Sequence, residues 1–492
     1  MPAQGNALGH TSLNTSSPEG AKQLPFGWKI VRLGDIAQTT SGGTPRRDKP
    51  HYYGGTIPWV KSGELGDRVV YETSEFLTDE GLASSNAKVF PKGTLCIALY
   101  GATVGKLGIL GIDAATNQAV CAVFPPEGLD TRFLYHFFEG KRRDLIEQGK
   151  GGAQSNISQG IVRDTLLPLP PLPEQRRIVA EIEKQFTRLE AGVAALRRVQ
   201  ASLKRYRAAV LKAACEGRLV PTEAALARYP RSTKNGQPAY ETGEALLARI
   251  LTERRQNWQG RGQYKEPAAL DTSKLFDLPA GWTWTTLDAL AEIKGGITKD
   301  QNRKHAAPAR SVPYLRVANV QRGYIDLTEV KEIVTTEDEI RELALRPGDI
   351  LFNEGGDRDK LGRGWVWNGE LPECIHQNHV FRARLYVAAL NPKLVSWYAN
   401  TFGQKFFFDE GKHTTNLASI SMSKLKGLPV PIPPPTEQTR IVVEVERRLS
   451  VVDELESVVS ANLQRATRLR QSILQRAFTG NLLGARGMSG AE

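Results

Sequence analysis

The feature that most constrains this chain is a long internal repeat. Pro168-Leu-Pro-Pro-Leu-Pro-Glu-Gln-Arg-Arg-Ile-Val-Ala-Glu-Ile-Glu183 returns, 263 residues later, as Pro431-Ile-Pro-Pro-Pro-Thr-Glu-Gln-Thr-Arg-Ile-Val-Val-Glu-Val-Glu446. The match continues without a gap through Arg205/Arg468, Arg207/Arg470, Leu211/Leu474, Gly217/Gly480 and Leu219/Leu482. Each half also opens alike, with Leu24-Pro-Phe-Gly-Trp28 against Leu278-Pro-Ala-Gly-Trp282. Pro91-Lys-Gly-Thr-Leu95 parallels Pro347-Gly-Asp-Ile-Leu351, and Gln154-Ser-Asn-Ile157 parallels Thr414-Thr-Asn-Leu417. Two copies of so long a unit predict a pseudo-two-fold duplication, not a solenoid.

The repeated segments read as long helices. Pro168, Pro170, Pro171 and Pro173 cannot lie in a helix interior and form a stiff lead-in. A helix then starts near Glu174, whose carboxylate suits the positive end of the dipole. Ile182, Leu189, Leu196, Leu203 and Val210 recur every seven residues, with Val179, Phe186 and Val193 at the alternate seam position. The second copy answers with Val445, Val452, Val459, Ala466 and Ile473, beside Val442 and Leu449. This is coiled-coil patterning, and Gln200, Arg207, Glu456 and Arg470 on the seam would fix register at some cost in stability. Gly217 and Gly480 suit the stop after each helix. At 1.5 Å per residue, Glu174 to Gly217 spans roughly 66 Å.

The fold class expected is α+β: two globular domains separated by a pair of long antiparallel coiled-coil helices. The segments are a disordered tail at 1–23, a domain at 24–173, a helix at 174–217, a connector at 218–278, a domain at 279–436, a helix at 437–482 and a tail at 483–492. Duplication within one chain favours pairing of the two helices with each other over two separate coils for dimerisation. The connector contains Pro221, Pro230, Pro238 and Pro267 and predicts a helix from Thr242 to about Trp258.

Composition narrows the function classes. With 40% hydrophobic and 24% charged residues in 492, a wholly disordered or fibrous chain is excluded. Cys96, Cys121, Cys215 and Cys374 lie far apart with no C-x-x-C, which argues against a disulfide scaffold and for a reducing compartment. No signal peptide and no membrane-length apolar run is recognisable, so the expected location is the cytoplasm. The net charge of +12 suggests a polyanionic partner. The excess is local: +5 on residues 174–217 and +4 on 218–267, with both domains nearly neutral. A nucleic-acid binder built this way needs local patches or help from partners.

Each domain mixes short strands with helices. Val89–Leu99, Ala119–Phe124, Val312–Val317, Ile350–Phe352 and His379–Leu385 read as strands. Leu33–Gln38, Thr131–Gln148 and Pro392–Glu410 read as helices. The last two carry aromatic stripes (Phe133, Tyr135, Phe137, Phe138; Trp397, Tyr398, Phe402, Phe406, Phe407, Phe408) expected to pack in the core. Glycine-rich polar loops sit at matching places in the two halves. Ser41-Gly-Gly-Thr-Pro-Arg-Arg47 answers Lys294-Gly-Gly-Ile-Thr-Lys299, Tyr100-Gly-Ala-Thr-Val-Gly-Lys106 answers Asn353-Glu-Gly-Gly-Asp-Arg358, and Lys150-Gly-Gly-Ala-Gln-Ser-Asn156 answers Lys412-His-Thr-Thr-Asn416. Glycine lets backbone N–H groups approach phosphate, Arg and Lys neutralise it, and Asn or Gln reads adenine. The candidate DNA contacts are therefore Thr44, Arg46, Arg47, Lys49, Lys61, Lys106, Lys150, Gln154, Ser155 and Asn156 in the first half. In the second they are Lys294, Thr298, Lys299, Arg316, Asn319, Arg358, Lys412, His413, Thr414 and Asn416.

Catalytic patterns are weak. Gly101–Lys106 is one residue short of a P-loop and is followed by Leu107 where Ser or Thr would hold magnesium. Cys374, His376 and His379 suggest metal ligands but lack a fourth. Asp349, Glu354 and Lys360 could form a nuclease-like cluster, though a solvated loop fits better. No Asn or Asp followed by Pro-Pro and an aromatic marks an adenine methyltransferase. The chain is expected to be non-catalytic, to bind no metal and to carry no cofactor.

The twice-repeated Pro-Leu-Pro-Pro-Leu-Pro-Glu-Gln-Arg-Arg-Ile-Val segment before a long helix resembles the specificity (S) subunits of type I restriction-modification systems. So do Gly27-Trp28 with Leu33-Gly-Asp-Ile36, Gly54-Gly-Thr-Ile-Pro-Trp-Val-Lys61, and Thr414-Thr-Asn-Leu417 before Ile420. The resemblance spans about residues 24–483. It implies that each domain is a target recognition domain for half of a split double-stranded DNA site, with the helices as a ruler. It implies two methyltransferase (modification) subunits and two motor-nuclease (restriction) subunits as partners. S-adenosylmethionine, ATP and magnesium would belong to those partners. The rival expectations are an autonomous nuclease and a coiled-coil scaffold.

Overall fold

The computed structural model describes residues 25–149, 156–227, 240–258, 262–298, 308–356, 361–410, 412–413 and 418–483. The chain divides into two compact units, with the boundaries after Arg197 and after Val459, so each long helix contributes to both. The helices run Leu172–Cys215 and Pro435–Phe478, 44 residues each. They start two residues earlier than expected at Glu174 and Glu437, because proline is tolerated in a first turn, where its missing N–H is no loss.

In the first unit the main sheet has five strands in the order Gln38–Ser41, Val120–Phe124, Leu95–Ala98, Leu107–Leu110, Arg68–Val70. A smaller sheet holds Tyr53–Val60, which runs parallel to Ala114–Thr116 with Trp59 opposite Ala115. Lys29–Arg32 pairs antiparallel with Leu166–Leu169 and closes the domain at its base. The expected Val89–Leu99 strand is two strands, Val89–Phe90 and Leu95–Ala98. Gly93, at φ +87°, turns the chain between them. The helix Thr131–Gln148 has Asp130 as its N-cap and buries Phe133, Phe137 and Phe138. These pack with Leu95, Ile97 and Val123, and with Ile178 and Ile182 of the first long helix. The same core contains Ile473, Leu474, Ala477 and Leu482. Phe478 sets its ring edge-on to Phe133 (5.2 Å) and Phe137 (5.3 Å). The end of the second long helix is thus part of the first unit's core. Gly480 sits so close to Pro25 that a Cβ there would overlap the proline ring, and its φ of +75° also demands glycine.

The second unit repeats this plan. Its sheet orders Ala291–Lys294, Val380–Leu385, Ile350–Asn353, Gly364–Val366, and Ala309–Leu315 runs parallel to Ile375–His376. Thr283–Thr286 pairs with Pro429–Ile432 at the base. The expected Pro392–Glu410 helix is two, Pro392–Thr401 and Gly403–Glu410, with Phe402 between them. Trp397, Tyr398 and Phe407 are buried as expected, whereas Phe408 is exposed. Val210, Ala214 and Cys215 of the first long helix pack on Leu394, Trp397, Ile441 and Val445. Gly217 abuts Pro279 and Trp282 as Gly480 abuts Pro25.

The repeated Glu-Gln has a clear structural purpose. Gln175 is 1% exposed; its amide donates to the carbonyls of Gly128 (3.0 Å) and Pro170 (2.9 Å) and accepts from Asp130 N (2.8 Å). Gln438 does the same in the second unit, donating to Pro433 O and accepting from Asn391 N. Each glutamine ties the start of a long helix to the N-cap of its domain's aromatic helix.

Within each unit the helices run antiparallel. Arg470 bonds Glu190 in the first; Arg207 bonds Asp453 and Glu456 in the second. Of the expected seam, Ile182, Leu203, Val210, Val445, Val452, Val459 and Ile473 are buried. Leu189 and Leu196 remain half-exposed. Gly192, Ala195 and Ala466 are too small to cover them, which leaves an apolar groove of about 770 Å³ in the first unit.

The connector is more than a link. Its helix, Gly243–Gln256, is capped by Thr242 and buries Leu246 and Ile250 in the second unit's core. Glu223 accepts hydrogen bonds from Thr436 and Arg440 of the second long helix. Its N–H, with Trp282 Nε1 (2.9 Å), bonds the buried Glu437 carboxylate. Burial pushes the Glu437 carboxyl above its ordinary pKa. A Gln175→Leu substitution removes three hydrogen bonds made by a buried amide and orphans the buried Pro170 carbonyl. It is expected to cost about 2–4 kcal/mol, read as faster hydrogen exchange in Thr131–Gln148 with the second unit's amides unchanged.

Candidate nucleic-acid interface

Of the loops singled out above, 41–47, 100–106 and the described part of 294–299 follow or join strands of their domains' main sheets. In the first unit Gly42 N donates to Val120 O (3.2 Å) and Gly43 N to Thr116 O (2.9 Å). A Cβ on Gly42 would overlap Thr116, and one on Gly43 would overlap the backbone of Asn86 and Ala87. The Gly-Gly pair is therefore a requirement of close backbone approach. The loop that follows is locked from below. Trp59 Nε1 donates to Gly43 O (3.1 Å), and Tyr53 Oη donates to Pro45 O (2.7 Å). Arg47 lies over the Tyr53 and Trp59 rings at 4.6 and 4.9 Å.

The candidate residues separate by environment. Arg46 is exposed and paired only with exposed Asp48 (2.7 Å), a contact that phosphate or a base can displace. Lys49 is exposed on the same loop. Arg47 and Lys61 both bind Glu75, at 2.7 and 2.5 Å, and Lys61 and Arg47 hold its carboxyl below the usual range. Lys106 is half-buried at the end of its glycine turn, where its N–H bonds Thr103 O. Asn156 is exposed. Thr44 and Arg46 line a polar cleft of about 590 Å³ together with Ser84, Ser85, Asn86 and Gln118. Asn86 and Gln118 were not among the sequence candidates.

In the second unit Lys294 pairs with Glu342 (2.5 Å), and Thr298 is exposed. Arg316 reaches the Glu329 carbonyl (3.2 Å). Asn319 departs from the expectation of a DNA-facing amide. It is 3% exposed, and its side chain braces a loop by accepting from Arg316 N and donating to Asp326 O and Glu329 O. A buried amide with all these bonds made is a structural group, and its residue type alone could not reveal that. Lys412 and His413 form a short strand beside Ala418–Ser419. Lys150, Gln154, Ser155, Lys299, Arg358, Thr414 and Asn416 lie outside the described residues.

Asp349, Glu354, His376 and His379 are engaged by protein partners, and Lys360 lies outside the described residues. Asp349 is 1% exposed, and both its oxygens bind Arg384 at 2.7 Å. Glu354 bonds His379 (2.5 Å). The His376 ring is buried, with Nδ1 2.7 Å from Val380 O. A carbonyl only accepts, so Nδ1 carries a proton. Burial lowers the His376 pKa to about 4.

Residues 25–195 match the sequence model of the type I restriction modification DNA specificity domain. The chain is 24% identical over 480 residues to the EcoKI specificity subunit of Escherichia coli K12, covering 94% of this chain and 90% of that one. It is 24% identical over 465 residues to the EcoDI specificity subunit, with the same coverage. A chain solved in work on complex assembly and conformational transition of the type I R-M system superimposes with a TM-score of 0.62, at 22% identity. The match covers 94% of this chain and 100% of that one. Along most of its length the chain is similar to the specificity subunits of type I restriction-modification systems. The similarity supports a role in DNA sequence specificity over the autonomous-nuclease alternative. No helix among the described residues is long and apolar enough to cross a membrane.

The buried histidine generates a pH prediction. Its folded pKa lies below the ordinary histidine value of 6.5, so the unfolded state binds more protons between pH 6.5 and about 4. Stability is therefore full above pH 6.5 and falls with acid by about 3 kcal/mol across that window. Urea unfolding of the full chain at several pH values, with His376→Gln as the variant that flattens the dependence, checks this.

Proposed function

We propose that each domain reads one half of a bipartite site in double-stranded DNA. The paired helices fix the gap between the half-sites. The observation that carries this reading is the repetition of one plan in both units. Each has the same order of paired strands, a Gly-Gly loop seated on the end of a parallel strand pair, and a buried glutamine tying the domain to its long helix. A split, two-part target is the natural ligand of a duplicated reader. Nearly neutral domains and a basic helix and connector favour a reader whose affinity is shared with other subunits.

Two modification subunits dock on the helices and domains, and two restriction subunits join them for cleavage. The apolar groove at Leu189 and Leu196, with exposed Leu469, is surface that a protein partner would cover. In this reading S-adenosylmethionine, ATP and magnesium are carried by the partners, a base is flipped out for methylation by them, and the complex works in the cytoplasm.

Co-expression with the methyltransferase encoded beside the gene, followed by sequencing of host DNA for methylated bases, tests the reading. A split motif with a fixed gap, absent without this chain, is expected; no methylation from a stably formed complex would refute it. Exchanging residues 24–165 for the corresponding part of another such chain is expected to change one half-site only. Removing one heptad from both helices is expected to alter the gap or abolish methylation, and an unchanged gap would contradict the spacing role.

A further inference from the structure

The two units share a feature that the loop motifs did not capture. After the parallel strand Ala114–Thr116 comes a tight turn, Asn117-Gln118, closed by Val120 N bonding Asn117 O (3.1 Å). After Ile375–His376 comes Gln377-Asn378, closed by Val380 N bonding Gln377 O (2.9 Å). In each unit the strand's last carbonyl receives an N–H from the glycine loop, Gly43 N in one and Ile297 N in the other. Two consecutive side-chain amides therefore occupy the same place in both domains, at the rim of the main sheet and beside the Gly-Gly loop.

In the first unit this turn forms one wall of the polar cleft. Gln118 is exposed, and its Oε1 accepts a hydrogen bond from the Thr44 hydroxyl. Tyr100 interacts with the same amide. Asn86 lines the same cleft, exposed, with no hydrogen-bond partner among the described residues. Arg46 completes the rim. Thr116 Oγ1 and Asn117 Oδ1, behind this surface, are buried with no partner among the described residues. The cleft thus gathers the three side-chain types that read purine edges: Gln and Asn, which pair with adenine N6 and N7, and Arg, which pairs with guanine O6 and N7. The Thr44 bond uses one of the two lone pairs of Gln118 Oε1. With one Nε2 hydrogen directed to Tyr100, the other lone pair and the second Nε2 hydrogen remain for a base.

We infer that the amide turn is a base-reading element in each domain, with Gln118 and Asn86 specifying a purine, adenine by its donor–acceptor pattern, in one half-site and Asn378 reading its counterpart in the other. Thr44 is a positioning residue that holds the Gln118 amide in its reading orientation. This rests on the proposed function above and adds which side chains set the sequence.

The test uses the full chain co-expressed with its methyltransferase, with the host's genomic DNA as probe and the methylated motif as readout. Gln118→Ala is expected to relax discrimination at one base of one half-site about tenfold, leaving the other half-site and the gap unchanged. Asn378→Ala is expected to relax the opposite half-site. Thr44→Val is expected to relax the same base as Gln118→Ala, and Thr44→Ser, which keeps the hydroxyl, to restore it. Should Gln118→Ala fail to assemble, Asn86→Ala removes an exposed amide of the same cleft and decides the matter by the same readout. An unchanged motif at undiminished occupancy would overturn the inference. So would an even loss of methylation at all sites with the motif intact, which marks a phosphate or structural contact. Failure of the wild-type chain to direct any methylation would instead refute the function on which the inference rests.

Discussion

The structure depends on burying one end of a long helix in the core of a domain that did not lead into it. In the first unit Ile473, Leu474 and Ala477 complete the apolar interior around Phe133 and Phe137. In the second, Val210 and Ala214 pack with Trp397 and Tyr398. Burial of one such side chain is worth about 1.5–3 kcal/mol, so these residues anchor the helix ends more firmly than the exposed ion pairs along the helices. The buried glutamines then fix the other attachment, where each domain leads into its own helix. Each domain is thus held at two points, one apolar and one polar.

That division explains the character of the helix seam. Near the domains the seven-residue row is closed by Ile182, Val210, Val445 and Ile473. Between Leu189 and Leu196 it opens, because glycine and alanine replace the larger residues that would fill the contact. Arg470 is set into the junction by Glu139 (2.8 Å) and Glu190 (3.0 Å), with its guanidinium 3.8 Å from the centre of the Phe186 ring. Desolvation of Arg470 is offset by two carboxylates and an aromatic face, and the polar seam residue specifies register within that unit.

Much of this was legible in the sequence because it is written locally. The proline lead-in, the heptad row, the stop glycines and the helix Thr131–Gln148 follow from short-range rules of backbone and periodicity. What escaped was long-range. Nothing local pairs Tyr53–Val60 in parallel with Ala114–Thr116, so the equivalence of Asn117-Gln118 and Gln377-Asn378 was hidden behind changed neighbours. A search of the repeat for matching residue class, amide with amide, would have found it. Asn319 was misread for the opposite reason. Its residue type suits base reading, but burial and three hydrogen bonds are properties of a fold. The connector helix was legible as a helix, but its amphipathic face names no partner until Leu246 and Ile250 meet the second core.

The seating of Pro25 against Gly480 has a consequence for the order in which the protein can be made. The first unit's domain precedes the second unit in the chain, yet its core waits for Ile473, Leu474, Ala477 and Leu482, which are synthesised after the whole of the second unit. Everything the second unit needs, from Arg198 to Val459, has been synthesised before then. The half translated first is therefore the half completed last. Until Phe478 has been synthesised, Phe133 and Phe137 lack the aromatic cover that it brings. A truncated product would carry that exposed apolar surface with it, a ready target for chaperones and proteases.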